Sequence, residues 1–248
     1  MDSEPSATSG VERHAGGQFD HDRIVPAKTC SSDSWEEAYA RFETPQEEIR
    51  KFTKRLTSIG IARWPRDARI VELFCGRGNG LYALQNLGFT RLEGVDLSAS
   101  LLAQYTGPAR LYLWDCRHLY FGDRSKDIVI VQGGLHHLQT LPKDLDQTLS
   151  EVNRVLSHDG LFVVVEPWLT PFLRFVHAVC RNRIARGLSP KIEALATMIR
   201  HEQETYDQWL GQAPAILSLL DKYFRAEQRS IAWGKLSFVG RKRPGMVI

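Results

Sequence analysis

The chain has 248 residues, 43% hydrophobic and 25% charged, with a formal charge of +3 from 32 basic and 29 acidic side chains. That size supports one large domain or two small ones, and the composition excludes collagen-like, coiled-coil and wholly disordered chains. So small a net charge gives no strong nucleic-acid signal, since a protein that neutralises phosphates carries a larger excess of base.

The four cysteines, Cys30, Cys75, Cys116 and Cys180, stand 45, 41 and 64 positions apart. None has the spacing of a zinc knuckle or a redox pair, so reduced thiols, no metal and a cytoplasmic location are expected. The apolar run Leu161 to Val165 is far shorter than the ~20 residues of a bilayer span. The first ten residues lack the basic start and apolar core of a secretory signal.

Residues 1–34 hold six acids, three bases and scattered Gly, Ser, Thr and Pro without an apolar repeat, and are expected to be a flexible tail. From Trp35 onward, Tyr39, Phe42, Ile49, Phe52 and Leu56 recur at helical spacings, with a break near Pro45. After Pro65, β-type runs (ARIVELF, LEGVD, ARLYLW, DIVIV, LFVVVE) alternate with helical patterns. Such alternation argues for a parallel sheet with crossover helices. In KDLDQTLSEVNRVL, Leu145, Leu149, Val152 and Leu156 form one apolar face, and Gly160 is expected to end the element.

Residues 168–221 contain no convincing strand and several helical stretches, which predicts a helical cap insertion. FRAEQRSIAW, a turn at Gly234 and KLSFVGRK then read as an antiparallel hairpin at the sheet edge. The fold expected is α/β: a Rossmann-like, doubly wound, mostly parallel sheet with a C-terminal antiparallel hairpin. The domain runs over residues 35–248 and contains the insertion.

VELFCGRGNG, residues 71–80, lies where a strand gives way to a helix. Gly76, Gly78 and Gly80 allow a tight turn that brings N–H groups near a ligand at a helix N-terminus. Asp96 follows Gly76 by 20 positions, a spacing that places an acid over a ribose diol. The dinucleotide fingerprint puts a small residue where Leu81 stands, and Glu72 suits an amino group better than a pyrophosphate. Both points favour S-adenosylmethionine over NAD, and no P-loop sequence is present.

These motifs, with WDCRHLYF, DIVIVQGGLHHL and LSEVNRVLSHDGLFVVVEP in order, resemble a class I S-adenosylmethionine-dependent methyltransferase of small-molecule type. Phe74 stands where the commonest form of the glycine motif has its first Gly. The resemblance implies S-adenosylmethionine as cofactor, with Glu72 and the backbone around Gly76 and Gly78 at its methionine end. It implies that Asp96 meets the ribose, Asp115 the adenine amino group, and Leu97 and Cys116 flank the base. Gln132 and Gly133 fall near the sulfonium. Asp96 and Asp115 have a second reading as caps of local turns.

In-line methyl transfer depends on alignment and exclusion of water, so a base is optional. His136 and His137 are candidates to accept a proton, against packing beneath the cofactor, and Glu166 is a third candidate, against a hydrogen bond to the cap. Trp35 and Tyr39 either close over the cofactor or belong to a core stripe. His201, Tyr206 and Trp209 either line the acceptor pocket or fill the cap.

Residues 168–191 carry Arg174, Arg181, Arg183, Arg186 and Lys191, no acid, and many apolar side chains. The stretch fits either a packed cap helix with a solvated basic face, or contact with an anionic membrane surface and a lipophilic or acidic acceptor. The function expected is methyl transfer to a small organic acceptor. The alternatives are a macromolecular (RNA or protein) methyltransferase, or a module that binds S-adenosylmethionine without turnover.

Overall fold

A computed structural model describes residues 33–243. The expected tail, residues 1–34, lies outside the described residues except for its last two positions, which open helix α1 (Asp33–Phe42). Pro45 interrupts the helical pattern as expected. It starts α2 (Pro45–Ser58), which Thr44 caps reciprocally with Glu47.

Seven strands follow: β1 (Arg69–Leu73), β2 (Arg91–Asp96), β3 (Arg110–Leu113), β4 (Lys126–Gln132), β5 (Leu156–Pro167), β6 (Phe224–Ala232) and β7 (Lys235–Lys242). They form one sheet in the order β3-β2-β1-β4-β5-β7-β6. The first five are mutually parallel, β7 runs antiparallel to β5, and β6 runs antiparallel to β7. The order reverses between β1 and β4, and a doubly wound sheet opens its crevice at such a point.

Side-chain alternation along the strands divides the core between the two sheet faces. Val71, Leu73, Val129 and Val131 pack with α5 (Lys143–Val155) and α10 (Ala213–Tyr223). Ile70, Ile128 and Ile130 pack with α2 and α3 (Asn79–Asn86). Leu145, Leu149 and Val152 of α5 are fully buried, each contributing about 1.5–3 kcal/mol by transfer from water.

Leu156 departs from the expected pattern. It is buried, but α5 ends at Val155, and Leu156 begins β5 by pairing with Lys126 ahead of a bulge. Gly160 does not stop the helix; a Cβ there would lie 2.9 Å from a Leu156 methyl, so glycine admits that side chain within the strand.

Between β5 and β6 lie five helices: α6 (Pro171–Arg181), α7 (Arg183–Leu188), α8 (Pro190–His201), α9 (Gln203–Gly211) and α10. Helix α1 packs on α8. A short α4 (Ala99–Leu102), capped by Ser98, joins β2 to β3. No helix among the described residues is long and apolar enough to cross a membrane.

Candidate active site

The ends of β1, β2 and β4 supply the floor of a cavity of about 560 Å³. At the end of β1 the chain turns through Phe74, whose φ of 57° is left-handed, a conformation that favours glycine. Phe74 thus holds a backbone conformation that glycine would adopt freely, and its ring lies over Gly134, where a Cβ would come within 2.3 Å. Gly78 caps α3 at φ 76°, and a Cβ there would meet the Tyr105 ring at 2.2 Å.

Glu72 points from β1 into the cavity and is almost wholly buried. Gly80 makes room for it, since a Cβ at position 80 would fall 2.0 Å from Glu72 Oε1. Gln132 Nε2 donates to Oε1 at 3.1 Å, while the buried Oε2 has no hydrogen-bond partner. Burial raises the Glu72 carboxyl to about 8, against the relief given by the Gln132 hydrogen bond. A cationic amine entering the cavity meets an acceptor that the protein leaves unsatisfied.

Asp96, at the end of β2, accepts from Gly76 N–H at 2.7 Å and from Ser98 N–H at 2.8 Å. Burial still holds its carboxyl above the ordinary value. The capping and cavity-facing readings of Asp96 are compatible: the two oxygens tie the loops together and also line the cavity.

Helices α1, α2, α6 and α8 and the β6–β7 turn complete the walls. Glu48 of α2 holds the glycine loop from above, accepting from Asn79 Nδ2 at 2.7 Å and Arg77 Nη2 at 3.2 Å, and from the Tyr39 hydroxyl. Arg55, also on α2, donates to Gln132 Oε1 at 3.2 Å and lines the cavity. Burial lowers its pKa, opposed by the field of Glu43, Glu166, Glu48 and Glu72.

The adjacent histidines are shifted in opposite directions. His136 Nδ1 lies 2.7 Å from Glu166 Oε2, and its Nε2 lies 3.5 Å from Glu202 Oε2. Burial disfavours charge on the ring, but the two carboxylates outweigh it and raise His136 to about 10. Glu166 is fixed by the N–H groups of Gly134 and Leu135, at 2.7 and 2.9 Å. Trp35 Nε1 donates to Glu202. Burial and the neighbouring His136 cation push His137 down to about 4, so at neutral pH it is the histidine able to accept a proton. His136, His137 and Glu202 place ligand-type atoms within 4.8 Å of one another; a protonated His136 has no free lone pair to give to that set.

Of the residues expected from sequence, Glu72, Gly76, Asp96, Leu97, Cys116, Gln132, Gly133, His136, His137 and Glu166 border one cavity. Gly78 and Asp115 do not. Gly78 shapes the turn, and Asp115 is turned onto Arg117, whose Nη2 lies 2.6 Å away. Trp35 and Tyr39 line the cavity. Tyr206 and Trp209 are buried, with Trp209 Nε1 donating to the Pro167 carbonyl at 2.8 Å. His201 is exposed and lies away from the cavity wall. Arg55, Glu48, Glu202 and Lys235 were not singled out from sequence. Arg55 and Glu48 sit in α2, Glu202 at the junction of α8 and α9, and Lys235 at the start of β7, none with a motif around it.

The methyltransferase domain family model matches residues 71–164. Among solved structures, a Pyrococcus horikoshii OT3 protein shares 18% identity at a TM-score of 0.64, covering 86% of this chain and 100% of its own. A SAM-dependent methyltransferase from Archaeoglobus fulgidus shares 16% at 0.53, covering 85% and 100%. One from Mesorhizobium loti shares 18% at 0.51, covering 75% and 97%. No curated protein sequence matches the chain. The sheet order and strand-end cavity define a class I methyltransferase fold. The family match spans residues 71–164, and the chain has the fold of S-adenosylmethionine-dependent methyltransferases.

Proposed function

We propose that the protein transfers a methyl group from S-adenosylmethionine to a small organic acceptor held under the helical roof. The observation that carries the reading is enclosure. A cavity of about 560 Å³, walled by α1, α2, α6 and α8 over the strand ends, lies within the volume range of small-ligand sites.

The residues present fit the cofactor. The unpartnered Glu72 Oε2 accepts from its ammonium group, and Arg55, the buried cation nearby, faces its carboxylate. Asp96 accepts from the ribose hydroxyls, and Leu97 and Cys116 lie beside the base, with Gln132 and Gly133 toward the sulfur. Asp115, engaged with Arg117, acts on the adenine side through the loop it orders. When bound, S-adenosylmethionine supplies a methyl group on a positively charged sulfur.

His137, neutral at pH 7, takes the proton from an acceptor hydroxyl or amine. His136 stays protonated, with Nδ1–H toward Glu166 and Nε2–H toward Glu202, and positions the adjacent ring. The roof excludes water, which raises the value of alignment.

Incubation with methyl-labelled cofactor and separate pools of small metabolites, RNA and protein tests the reading. Label in the small-molecule fraction is expected. Label confined to RNA or protein would replace the acceptor class, and tight cofactor binding without transfer to any pool would leave a binding module.

A further inference from the structure

Large apolar side chains left in solvent are concentrated on one part of the molecule. Among the described residues, all of those that are strongly exposed, except Tyr120, fall between residues 169 and 188 or at 231 and 233. Phe175, Ile184, Leu188 and Trp233 are 64%, 74%, 81% and 76% exposed. A grouping of this kind marks an interaction surface.

The two segments are contiguous. The Trp168 N–H donates to the Gly234 carbonyl at 2.8 Å, and the Phe172 and Trp233 rings meet edge to face at 5.5 Å. Trp233 heads the two-residue turn of the hairpin at φ 51°, with Gly234 at φ 76°. A bulky residue in that conformation is strained, yet 76% of it is exposed among the described residues, so its edge contact with Phe172 is too small to account for it.

Charge identifies the occupant. Arg174, Arg181 and Arg183 are exposed on the same helices, with no acid between residues 168 and 191 and no acidic partner among the described residues. Two copies of this face would set like charge against like charge. Ile184 and Leu188 offer aliphatic tips, which suit acyl chains rather than nucleobases. We propose that α6, α7 and the β6–β7 turn dock on an anionic lipid surface, lying in its plane with Phe175, Ile184, Leu188 and Trp233 inserted and the arginines at the headgroups.

The docking face is continuous with the cavity, because Phe172, Leu173, Val176 and Trp233 also form its wall. An acceptor dissolved in the bilayer therefore reaches the cavity without crossing bulk water. This second statement names a lipophilic acceptor and rests on the methyl-transfer reading; docking itself does not.

Co-sedimentation of the full chain with phosphatidylcholine vesicles, with and without phosphatidylglycerol, tests the proposal. Binding should require the anionic lipid and weaken as salt rises. Arg174→Ser and Arg183→Ser should each lower partitioning about fivefold, and Phe175→Ser with Leu188→Ser should lower it further. Brominated acyl chains should quench a tryptophan signal that is missing in Trp233→Phe.

S-adenosylhomocysteine affinity, measured by calorimetry, reports that each variant is folded. Equal binding to neutral vesicles, or partitioning unchanged in folded variants, refutes docking. Self-association lost in the same variants would assign the face to a second copy, and saturable RNA binding lost with the arginines would assign it to nucleic acid; either refutes the lipid surface. Docking without label transfer to any lipid-soluble compound refutes the lipophilic acceptor alone, whereas label transfer without docking upholds methyl transfer and removes the membrane route.

Discussion

Glu72→Gln separates what the site needs from what the fold tolerates. The substitution keeps the shape and a partner for Gln132 while removing a carboxyl that burial raises from 4.5 to about 8. Below pH 4.5 the folded and unfolded chains both hold this proton, and Glu72 has no effect on stability. As pH rises toward 8, the unfolded chain releases the proton and the folded one keeps it, so stability falls; above pH 8 the loss is complete. At ~1.4 kcal/mol per pH unit, the cost is roughly 3 kcal/mol at pH 7 and roughly 5 kcal/mol above pH 8.

Glu72→Gln should therefore stabilise the ligand-free protein at pH 7 by up to about 3 kcal/mol, raising its melting temperature by roughly 6–12 °C. At pH 4.5 the two proteins should melt alike. The same variant loses a charge-assisted contact with the cofactor, worth about 1.5–3 kcal/mol, or a roughly 10- to 150-fold weaker affinity. Thermal unfolding at pH 4.5, 6 and 7.5, with calorimetry of S-adenosylhomocysteine, checks both effects. A stability difference independent of pH, or a variant less stable than the parent at pH 7.5, refutes the assignment of an uncompensated carboxyl. Unchanged affinity refutes its role toward the ammonium group.

Asp96→Ala should weaken S-adenosylhomocysteine binding by at least tenfold, from loss of ribose contacts and of the loop tie at Gly76; calorimetry showing equal affinity removes the assignment. His137→Asn should lower kcat by about 10²–10⁴-fold with cofactor affinity unchanged, and a smaller loss returns His137 to a packing role. In the parent, the rate should rise with pH through a group near 4, the value of His137, with no inflection near 6.5. Gly134→Ala should destabilise by about 1–3 kcal/mol, because its methyl meets the Phe74 ring. It should be nearly neutral in a Phe74→Gly background, and equal cost in both backgrounds would show that ring contact is not the reason.

Local chemistry was what the sequence displayed best. Strand runs, the glycine turn and Asp96 rely on neighbours within about one supersecondary unit, so periodicity and spacing revealed them. Leu156 was misplaced because a buried helix position and a buried strand position share the same apolar signature. Arg55 and Glu202 were illegible for another reason. Each acquires its surroundings from packing against elements far away in sequence, Gln132 for the first and Trp35 and His136 for the second. The different protonation states of His136 and His137 are likewise written in which carboxylates fold against them, and two adjacent identical residues carry no trace of that difference.

The Trp35–Glu202 hydrogen bond spans 167 positions. During synthesis from the N-terminus, α1 is the first described element to emerge, and its tryptophan N–H waits for the α8–α9 junction before it meets Glu202. The floor of the cavity is already encoded by then, since its strands β1, β2 and β4 all precede those helices. Closing so long a loop is entropically slow, so this wall of the cavity is completed late, and a chain cut short within the insertion lacks both the Glu202 contact of α1 and the strands β6 and β7 that complete the sheet.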